Sequence, residues 1–253
     1  MISNDTCNIR QEKWENGEEY NQYIQEELMS FRKAAWKQQI CQHFGNKRGL
    51  RILDVGTGPG FLACILSEEN HYVTRIDASK GMLTCAVKNA EKLRVSPQFL
   101  HADVNEMNFE DESFDVIISR NVTWTLEYPE KVYGDFFRIL KSNGTLLIYD
   151  ANWHRHFFDE ELYKKVKEHE EECLIKYGRK EVVAEPDYEL FKTAPLTRRL
   201  RPQWDIEFLE NNLHMQVDTE LDIGRNLYEP WEKELYRESP LFEICAVKNG
   251  QKG

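Results

Sequence analysis

Apolar residues recur at intervals of three and four in the first part of the chain, between about residues 18 and 44. The positions concerned are Tyr20, Ile24, Leu28, Phe31 and Ala35. This spacing puts the side chains on one face of an α-helix. The pattern therefore predicts a long amphipathic helix, which we expect Gly45 to end.

The pattern changes between Leu50 and Asp150, where short apolar runs alternate with helical or polar stretches. The runs are residues 51–55, 72–76, 115–119 and 145–149. Further along, a helix is predicted near residues 205–213, followed by strands near 215–221 and 241–247. Strands that alternate with helices are typical of βαβ units and a parallel sheet.

The stretch between these two parts has a different character. It is rich in acidic residues from 159 to 181, and prolines follow at positions 186, 195 and 202. One helical face of the acidic stretch carries Leu162, Val166, His169, Cys173 and Tyr177. We interpret residues 155–203 as an insertion that packs on the main domain.

Composition and charge narrow the classes of function. The 253 residues are 41% hydrophobic and 30% charged, which excludes a collagen-like or wholly disordered chain. The 33 Lys and Arg against 44 Asp and Glu give a net charge of −11, which repels phosphate backbones and anionic membrane surfaces. We therefore expect neither a nucleic-acid nor a membrane partner.

The six cysteines are scattered without a CxxC pair, so no zinc site and no disulfide framework is predicted. Scattered cysteines of this kind are typical of a protein in the reducing cytoplasm. The first twenty residues contain no apolar stretch of signal-peptide length, and no segment has the roughly 18 consecutive apolar residues that a membrane span needs.

A glycine-rich turn follows the first predicted strand. Residues 52–66 read ILDVGTGPGFLACIL. This segment begins as a buried strand, continues with the pattern DxGxGxG and ends in the first residues of a helix. Glycines let the backbone turn tightly and approach a ligand, and the helix presents unpaired N–H groups at its beginning. The spacing differs from the dinucleotide fingerprint GxGxxG and from the phosphate loop GxxxxGK[ST].

This segment resembles the first motif of the class I S-adenosylmethionine-dependent methyltransferases. The resemblance covers roughly residues 45–152 and the two closing strands. Asp77 stands where the family places the carboxylate that binds both ribose hydroxyls, and Asp103 matches the acidic position beside the adenine amino group. Residues 119–122 resemble the segment that lines the methionine moiety in ubiquinone and menaquinone C-methyltransferases. Arg75 departs from the small residue that is common in the family, and we expect it to alter the rim of the adenosine site.

The resemblance implies a Rossmann-like α/β fold with a seven-stranded, mainly parallel sheet, whose last strand is antiparallel, with helices on both faces and a helical lid. It implies S-adenosylmethionine as cofactor and S-adenosylhomocysteine as product. It assigns the cofactor site to Asp54, Gly56, Thr57, Gly58, Gly60, Asp77, Ala78, Met82, Asp103, Val104, Arg120 and Asn121. The expected domains are an N-terminal helical lid (1–44), a cofactor-binding core (45–154), an inserted lid or cap (155–203) and the remainder of the core (204–253).

Signatures of several methyltransferase subclasses are missing. The chain has SRNV where amino-methylating enzymes of DNA, RNA and protein glutamine carry [DNS]PP[YFW], and it has no Pro-Cys nucleophile for cytosine C5 methylation. Asp150 and Asn152 follow strand five, but a carboxylate partner after strand four is missing, so we expect no metal dependence. These features favour a small-molecule acceptor.

Residues for an acceptor pocket are expected in the N-terminal helix and after strands four and five. They are Tyr20, Tyr23, Trp124, Asn152, Trp153, His154 and Arg199. Aromatic side chains suit a pocket that excludes water and holds a planar or apolar acceptor. Tyr20 and Tyr23 could instead only bury a helix face, and arginines 198, 199 and 201 could pair with carboxylates of the insertion. His154 is the candidate catalytic residue, because an imidazole can remove a proton at neutral pH.

The sequence thus predicts a cytoplasmic methyltransferase, monomeric or homodimeric, that acts on a small molecule. One alternative is a non-catalytic, cofactor-binding regulatory protein, which predicts an empty or filled-in pocket beneath Trp153 and His154. The other alternative is a tRNA or protein methyltransferase, which requires a contiguous basic patch around residues 198–201.

Overall fold

A seven-stranded sheet with the strand order β3-β2-β1-β4-β5-β7-β6 forms the centre of the molecule. The computed structural model describes residues 14–96, 98–179 and 192–250. Strands β1 to β5 pair in parallel, and β7 runs antiparallel to both β5 and β6. The strands are β1 (Arg51–Val55), β2 (Tyr72–Asp77), β3 (Gln98–His101), β4 (Phe114–Arg120), β5 (Leu140–Asp150), β6 (Gln216–Glu220) and β7 (Phe242–Val247). The predicted fold, with its antiparallel last strand, is confirmed.

Helices cover both faces of this sheet. They are α1 (Gly17–Met29), α2 (Arg32–Cys41), α3 (Phe61–Ser67), α4 (Lys80–Lys92), α5 (Pro129–Ile139), α6 (Glu160–Tyr177), α7 (Gln203–Asn211), α8 (Gly224–Leu227) and α9 (Pro230–Leu235). No helix in the described ranges is both long enough and apolar enough to cross a bilayer.

Two hydrophobic clusters lie on opposite sides of the sheet, because successive strand residues point to opposite faces. Ile117 packs with Phe136 of α5 on one side, and Ile118 packs with Trp36 of α2 on the other. Both faces are therefore buried, as is usual for a parallel sheet. The carboxyl ends of the strands are then the place where side chains can meet a ligand.

The single helix predicted for residues 18–44 is wrong, because the chain breaks between α1 and α2. Ser30 is extended, and its hydroxyl donates to the carbonyl of Glu27 at 3.0 Å. The same Ser30 oxygen accepts a hydrogen bond from the N–H of Arg32 at 3.2 Å, which starts the second helix. The break leaves Phe31 50% exposed while Trp36 is buried in the core.

Of the predicted insertion, the structure describes residues 155–179 and 192–203. Asp159 is the N-cap of helix α6, and its carboxylate accepts hydrogen bonds from the N–H groups of Glu161 and Leu162. Val166 and Cys173 are its buried residues, as the apolar stripe predicts. Pro186 lies outside the described residues.

Candidate active site

The glycine loop joins β1 to α3 in a conformation that only glycine adopts readily. Gly56, Gly58 and Gly60 have φ angles of 66°, 53° and 85°. A Cβ atom on Gly56 would collide with the side chain of Val122, and one on Gly60 would lie 3.1 Å from the Cβ of Ala86. A Cβ on Gly58 would meet only Tyr20, at 3.8 Å, so Gly58 borders open space.

Asp54 supports this loop from beneath. Its carboxylate is 1% exposed and accepts a hydrogen bond of 2.7 Å from the hydroxyl of Thr57. Burial raises the pKa of Asp54 to about 6, although the Thr57 hydroxyl and the charge of Arg75 act in the opposite direction. Asp54, Thr57 and Gly60 hold the loop in shape and are not among the residues that line the cavity above it.

Asp77 ends β2 beside the loop. One carboxylate oxygen accepts the N–H of Gly58 and the other accepts the N–H of Ser79, both at 2.8 Å. Burial raises the pKa of Asp77, and these two N–H groups oppose the shift. The carboxylate therefore has a fixed direction and lines the cavity together with Ala78 and Met82.

Asp103 follows β3, and its carboxylate, like that of Asp77, is held in place by hydrogen bonds from nearby residues. Its Oδ1 accepts the backbone N–H and the side-chain amide of Asn105, both at 2.8 Å. Val104 begins a short 3-10 turn, and all three residues line the same cavity as Asp77.

Arg120 ends β4 on the other side of the loop. Its two terminal nitrogens donate to Glu27 of α1 at 2.7 and 3.0 Å. The guanidinium also stacks over Trp36, with its carbon 4.4 Å from the ring centroid. Arg120 and Asn121 line the cavity, so the ends of four adjacent strands contribute to one site.

The cavity has about 1080 Å³ of empty volume, which includes open solvent. Trp14 and Tyr20 form its N-terminal wall, with ring centroids 5.9 Å apart in an edge-to-face arrangement. This wall is attached to the start of α4, because the hydroxyl of Ser79 donates to the carbonyl of Trp14 at 2.9 Å. Burial raises the pKa of Tyr20, so its phenol stays protonated at neutral pH.

Asn152, Trp153 and His154, which follow β5, are not among the described residues that line this cavity, and their role in an acceptor pocket stays a prediction. His154 is 4% exposed, and its ring packs against Trp124 with centroids 4.8 Å apart. The indole of Trp153 donates to Asp150 at 3.0 Å. The side chain of Asn152 bonds both to the carbonyl (2.7 Å) and to the N–H (3.1 Å) of Arg201. The polar groups of Asn152 and Trp153 are thus hydrogen-bonded within the protein.

Tyr23, Trp124 and Arg199 are also absent from the cavity lining. The hydroxyl of Tyr23 donates to Glu232 at 2.6 Å. Arg199 pairs with Glu130 at 2.9 Å and stacks over Trp204. The polar groups of Tyr23 and Arg199 are thus bonded to carboxylates of the protein itself.

Arg75 also differs from its expected place at the adenosine rim. It is fully buried, and its guanidinium donates to the carbonyls of Val73 (2.6 Å) and Ala63 (2.5 Å). Burial lowers the pKa of Arg75 to about 10. Its role is to tie β2 to α3 within the core.

No pattern in the sequence predicts the buried cluster around Arg201. This guanidinium lies 2.7 Å from Asp150 and 2.7 Å from Asp205, and it also donates to the hydroxyl of Thr123 at 2.7 Å. The cluster fixes the turn after β4, from which Thr125 and Leu126 line the cavity. Because Asp150 and Arg201 are 51 positions apart, no local pattern could have indicated their contact.

Comparisons with known proteins agree with this architecture. A family model described as a methyltransferase domain matches residues 53–148. Phosphatidylethanolamine N-methyltransferase of Cereibacter sphaeroides is 32% identical over 105 residues, which are 41% of this chain and 51% of the relative. Phosphoethanolamine N-methyltransferase 1 of Arabidopsis thaliana is 35% identical over 113 residues, which are 44% of this chain and 23% of the relative. The chain thus spans about half of the first relative's length and less of the second's.

A solved structure of phosphoethanolamine N-methyltransferase 2 from Haemonchus contortus, in complex with S-adenosyl-L-methionine, superposes with a TM-score of 0.58. It is 20% identical, and the match covers 85% of this chain and 52% of that one, so the two share the fold. The family model, the glycine loop and the strand order thus agree in assigning residues 53–148 to a methyltransferase domain, which confirms the predicted resemblance to the class I S-adenosylmethionine-dependent methyltransferases.

Proposed function

We propose that the protein transfers a methyl group from S-adenosylmethionine to a small-molecule acceptor, and that both bind in the cavity at the strand ends. The observation that carries the proposal is the joint lining of this cavity by Gly58, Asp77, Asp103 and Arg120. These residues come from four separate chain segments and meet only here, at the crevice where α/β sheets bind ligands.

Each part of the cavity suits one part of the cofactor. Asp77 keeps free lone pairs for the two ribose hydroxyls, and Asp103 with Val104 suits the adenine ring. Gly56 and Gly58 let the backbone approach the methionine moiety, next to residues 120–121. The bound sulfonium would supply an activated methyl group, so the protein's main contribution is to hold the nucleophile in line with it.

The acceptor would lie between the Trp14–Tyr20 wall and the end of β4. Aromatic rings on this side exclude water and hold a planar or apolar group. The named relatives act on ethanolamine compounds by N-methylation, which supports an amine among the acceptor classes to be tested first.

The arginines after the insertion do not support a macromolecular acceptor. Arg201 is 2% exposed, and Arg199 is paired with Glu130. Arg198 lies over the ring of Phe158. A contiguous basic patch, which a tRNA or protein methyltransferase would need, is therefore not formed by these three side chains.

The regulatory alternative retains one supporting observation. Trp153 and His154 are packed into the protein, as a filled-in pocket would require. Turnover separates the two functions: an enzyme forms S-adenosylhomocysteine from S-adenosylmethionine in the presence of an amine, phenol or thiol acceptor. A regulatory protein binds the cofactor and leaves it intact with all of them.

Titration calorimetry with S-adenosylhomocysteine tests the binding site itself. We expect Asp77→Asn and Gly58→Val to raise the Kd at least about tenfold, because one loses a charge-assisted acceptor and the other fills the cofactor's space. Asp218→Asn, on the distant edge strand β6, is the matched control and should bind like the wild type. Undiminished affinity in both cavity variants would mean that the site lies elsewhere.

A further inference from the structure

The backbone of residues 14–17 passes very close to the first turn of helix α4. A Cβ atom on Gly81 would lie 1.8 Å from the carbonyl oxygen of Glu15, and its three nearest heavy atoms would all belong to Glu15. From the other segment, a Cβ on Gly17 would lie 3.1 Å from backbone atoms of Gly81 and Met82. The two segments therefore touch through their backbones, and no side chain fits between them.

Neither glycine is required by its own backbone conformation. Gly17 and Gly81 both lie within helices, and neither has a positive φ. At helical positions alanine is favoured over glycine, so a glycine there weakens the helix. What these two glycines provide instead is the close approach of one backbone to another.

Hydrogen bonds attach the same segment to the same turn. The hydroxyl of Ser79, the N-cap residue of α4, donates to the carbonyl of Trp14 at 2.9 Å. The N–H of Gly81 donates to the carboxylate of Glu15 at 3.3 Å. Ser79 and Trp14 line the cavity, but Gly81 is not among the lining residues. Gly81 thus contacts the segment that forms the cavity wall and not the space that a ligand would fill.

Polar side chains join the two helices further along. The side-chain amide of Asn89 in α4 donates to the side-chain oxygen of Asn21 in α1 at 2.8 Å and to the carbonyl of Pro59 in the glycine loop at 2.9 Å. Lys88 pairs with Glu18 at 3.0 Å, and both side chains are exposed. Water can replace such polar contacts, so separating this part of α1 from α4 costs less than exposing an apolar contact of the same size.

The second half of α1 is held more firmly. Ile24 is buried in a hydrophobic cluster, and Glu27 is buried beside Arg120, whose guanidinium donates to it twice. A buried apolar side chain and a buried shared charge are costly to expose. Residues 14–21 are therefore the part of the N-terminal segment that can leave the core while residues 24–29 stay in place.

On the basis of the proposed function, we infer that Gly81 is a positioning residue for the cofactor site. Its missing side chain admits the backbone of Glu15, which holds Trp14 in the cavity wall when the cofactor is bound. Residues 14–21 form a gate, which separates from α4 to let S-adenosylhomocysteine leave and S-adenosylmethionine enter. Gly81 acts on this exchange only through the gate, because it is not part of the cavity lining.

Gly81→Ala in the full chain tests the inference. The added methyl group needs the space of the Glu15 carbonyl, so the gate can no longer close fully. We expect the Kd of S-adenosylhomocysteine, measured by titration calorimetry, to rise at least about fivefold, mainly through faster dissociation in stopped-flow measurements. In the ligand-free variant, the amide hydrogens of residues 14–21 should exchange faster, while those of residues 24–29 keep their wild-type rates.

Global stability distinguishes this role from a merely structural one. The urea midpoint of Gly81→Ala should stay close to that of the wild type, because the preference of alanine for a helix offsets the lost contacts. Gly134→Ala is the matched control, since it also adds a methyl group to a helix but has no atom within 4 Å of the new Cβ. This control should bind S-adenosylhomocysteine like the wild type.

Gly17→Ala approaches the same contact from the other side. It should raise the Kd in the same direction, by at least about twofold, because its Cβ meets the backbone of Gly81 less closely. In the double variant, the two effects should combine to less than their product, because one substitution already separates the backbones.

An unchanged Kd in Gly81→Ala, effects of the two substitutions that multiply, or equally faster exchange in residues 14–21 and 24–29 would overturn the inference. A urea midpoint that falls together with the affinity would also overturn it. A wild type that binds no S-adenosylhomocysteine would refute the proposed function itself. A wild type that binds it no better than Gly81→Ala does refutes only the role of Gly81, so the two failures are distinguishable.

Discussion

The carboxylate of Glu27 lies 2.7 Å from the guanidinium of Arg120, so helix α1 provides the counter-charge for a residue of the cavity wall. The same carboxylate lies 2.7 Å from Arg32, which in turn pairs with Glu232 of α9 at 3.1 Å. All four side chains are almost completely buried. The network joins the N-terminal helices, the end of β4 and the C-terminal part of the chain.

We expect Glu27→Gln to lower the free energy of unfolding by about 3–5 kcal/mol, because two buried guanidinium groups lose their shared counter-charge. Urea denaturation measures this. The control is Glu68→Gln, which removes the exposed partner of Lys33 and should cost no more than about 1 kcal/mol. Equal effects of the two substitutions would show that burial of the network is energetically unimportant.

Gly56→Ala should destabilise the protein by about 2–4 kcal/mol, because the new Cβ collides with Val122 in a left-handed conformation. Gly134→Ala is the matched control: it lies within α5 with no atom near the added Cβ, and alanine favours the helix by up to about 1 kcal/mol. Thermal unfolding of both variants checks the prediction. A Gly56→Ala protein as stable as the wild type would contradict the tight fit between loop and β4.

His154→Phe keeps a ring against Trp124 and removes the imidazole nitrogens. Because His154 does not line the cavity, we expect the rate of methyl transfer to change less than about threefold. A general base would instead lose about 10² to 10⁴ in rate. The rate of S-adenosylhomocysteine formation, with an acceptor that the wild type methylates, distinguishes the two outcomes.

Residues 14–29 should exchange their amide hydrogens more slowly when S-adenosylhomocysteine is bound, as expected of a lid. Trp14 and Tyr20 line the cavity, so a ligand there adds contacts that exist only in the bound state. Strand β6 serves as an internal reference that the ligand should leave unchanged. Equal protection with and without ligand would indicate a fixed structural arm.

The stability contribution of His43 should depend on pH. Its ring lies 2.9 Å from Glu243. Burial alone would lower the pKa of His43, but the neighbouring Cys245 thiol and the charge of the Glu243 carboxylate raise it to about 10. A folded-state pKa above the ordinary value of 6.5 means that the contribution is complete below about pH 6.5 and is lost as the pH rises through about 10.

His43→Gln should therefore be less stable than the wild type at pH 6, by about 1–2 kcal/mol, and the difference should disappear above about pH 10. Urea denaturation of both proteins across this range measures the difference. A difference that stays constant with pH would show that packing of the ring, and not its charge, is what matters.

Local spacing determined the sheet and the loop. The runs of apolar residues are short because strands are short, and each places its carboxyl end at the same edge of a parallel sheet. The tight turn after β1 needs a residue with a positive φ at position 56, and glycine adopts this conformation most readily. The glycine in the sequence therefore already indicated the turn. For the same reason, Asp77 and Asp103 could be placed in the cavity from their positions after β2 and β3.

Contacts between distant segments decided the remainder of the site. The residues after β5 were predicted to lie in the cavity because strand five lies next to strand four. In the structure Arg201 binds both Asp150 and Asn152, and neither of these two residues is among those that line the cavity. Tyr23 and Arg199 likewise have partners far away in sequence. Helical periodicity reports which face is buried but not what it is buried against, so only the tertiary structure shows which polar groups are satisfied within the protein and which remain for a ligand.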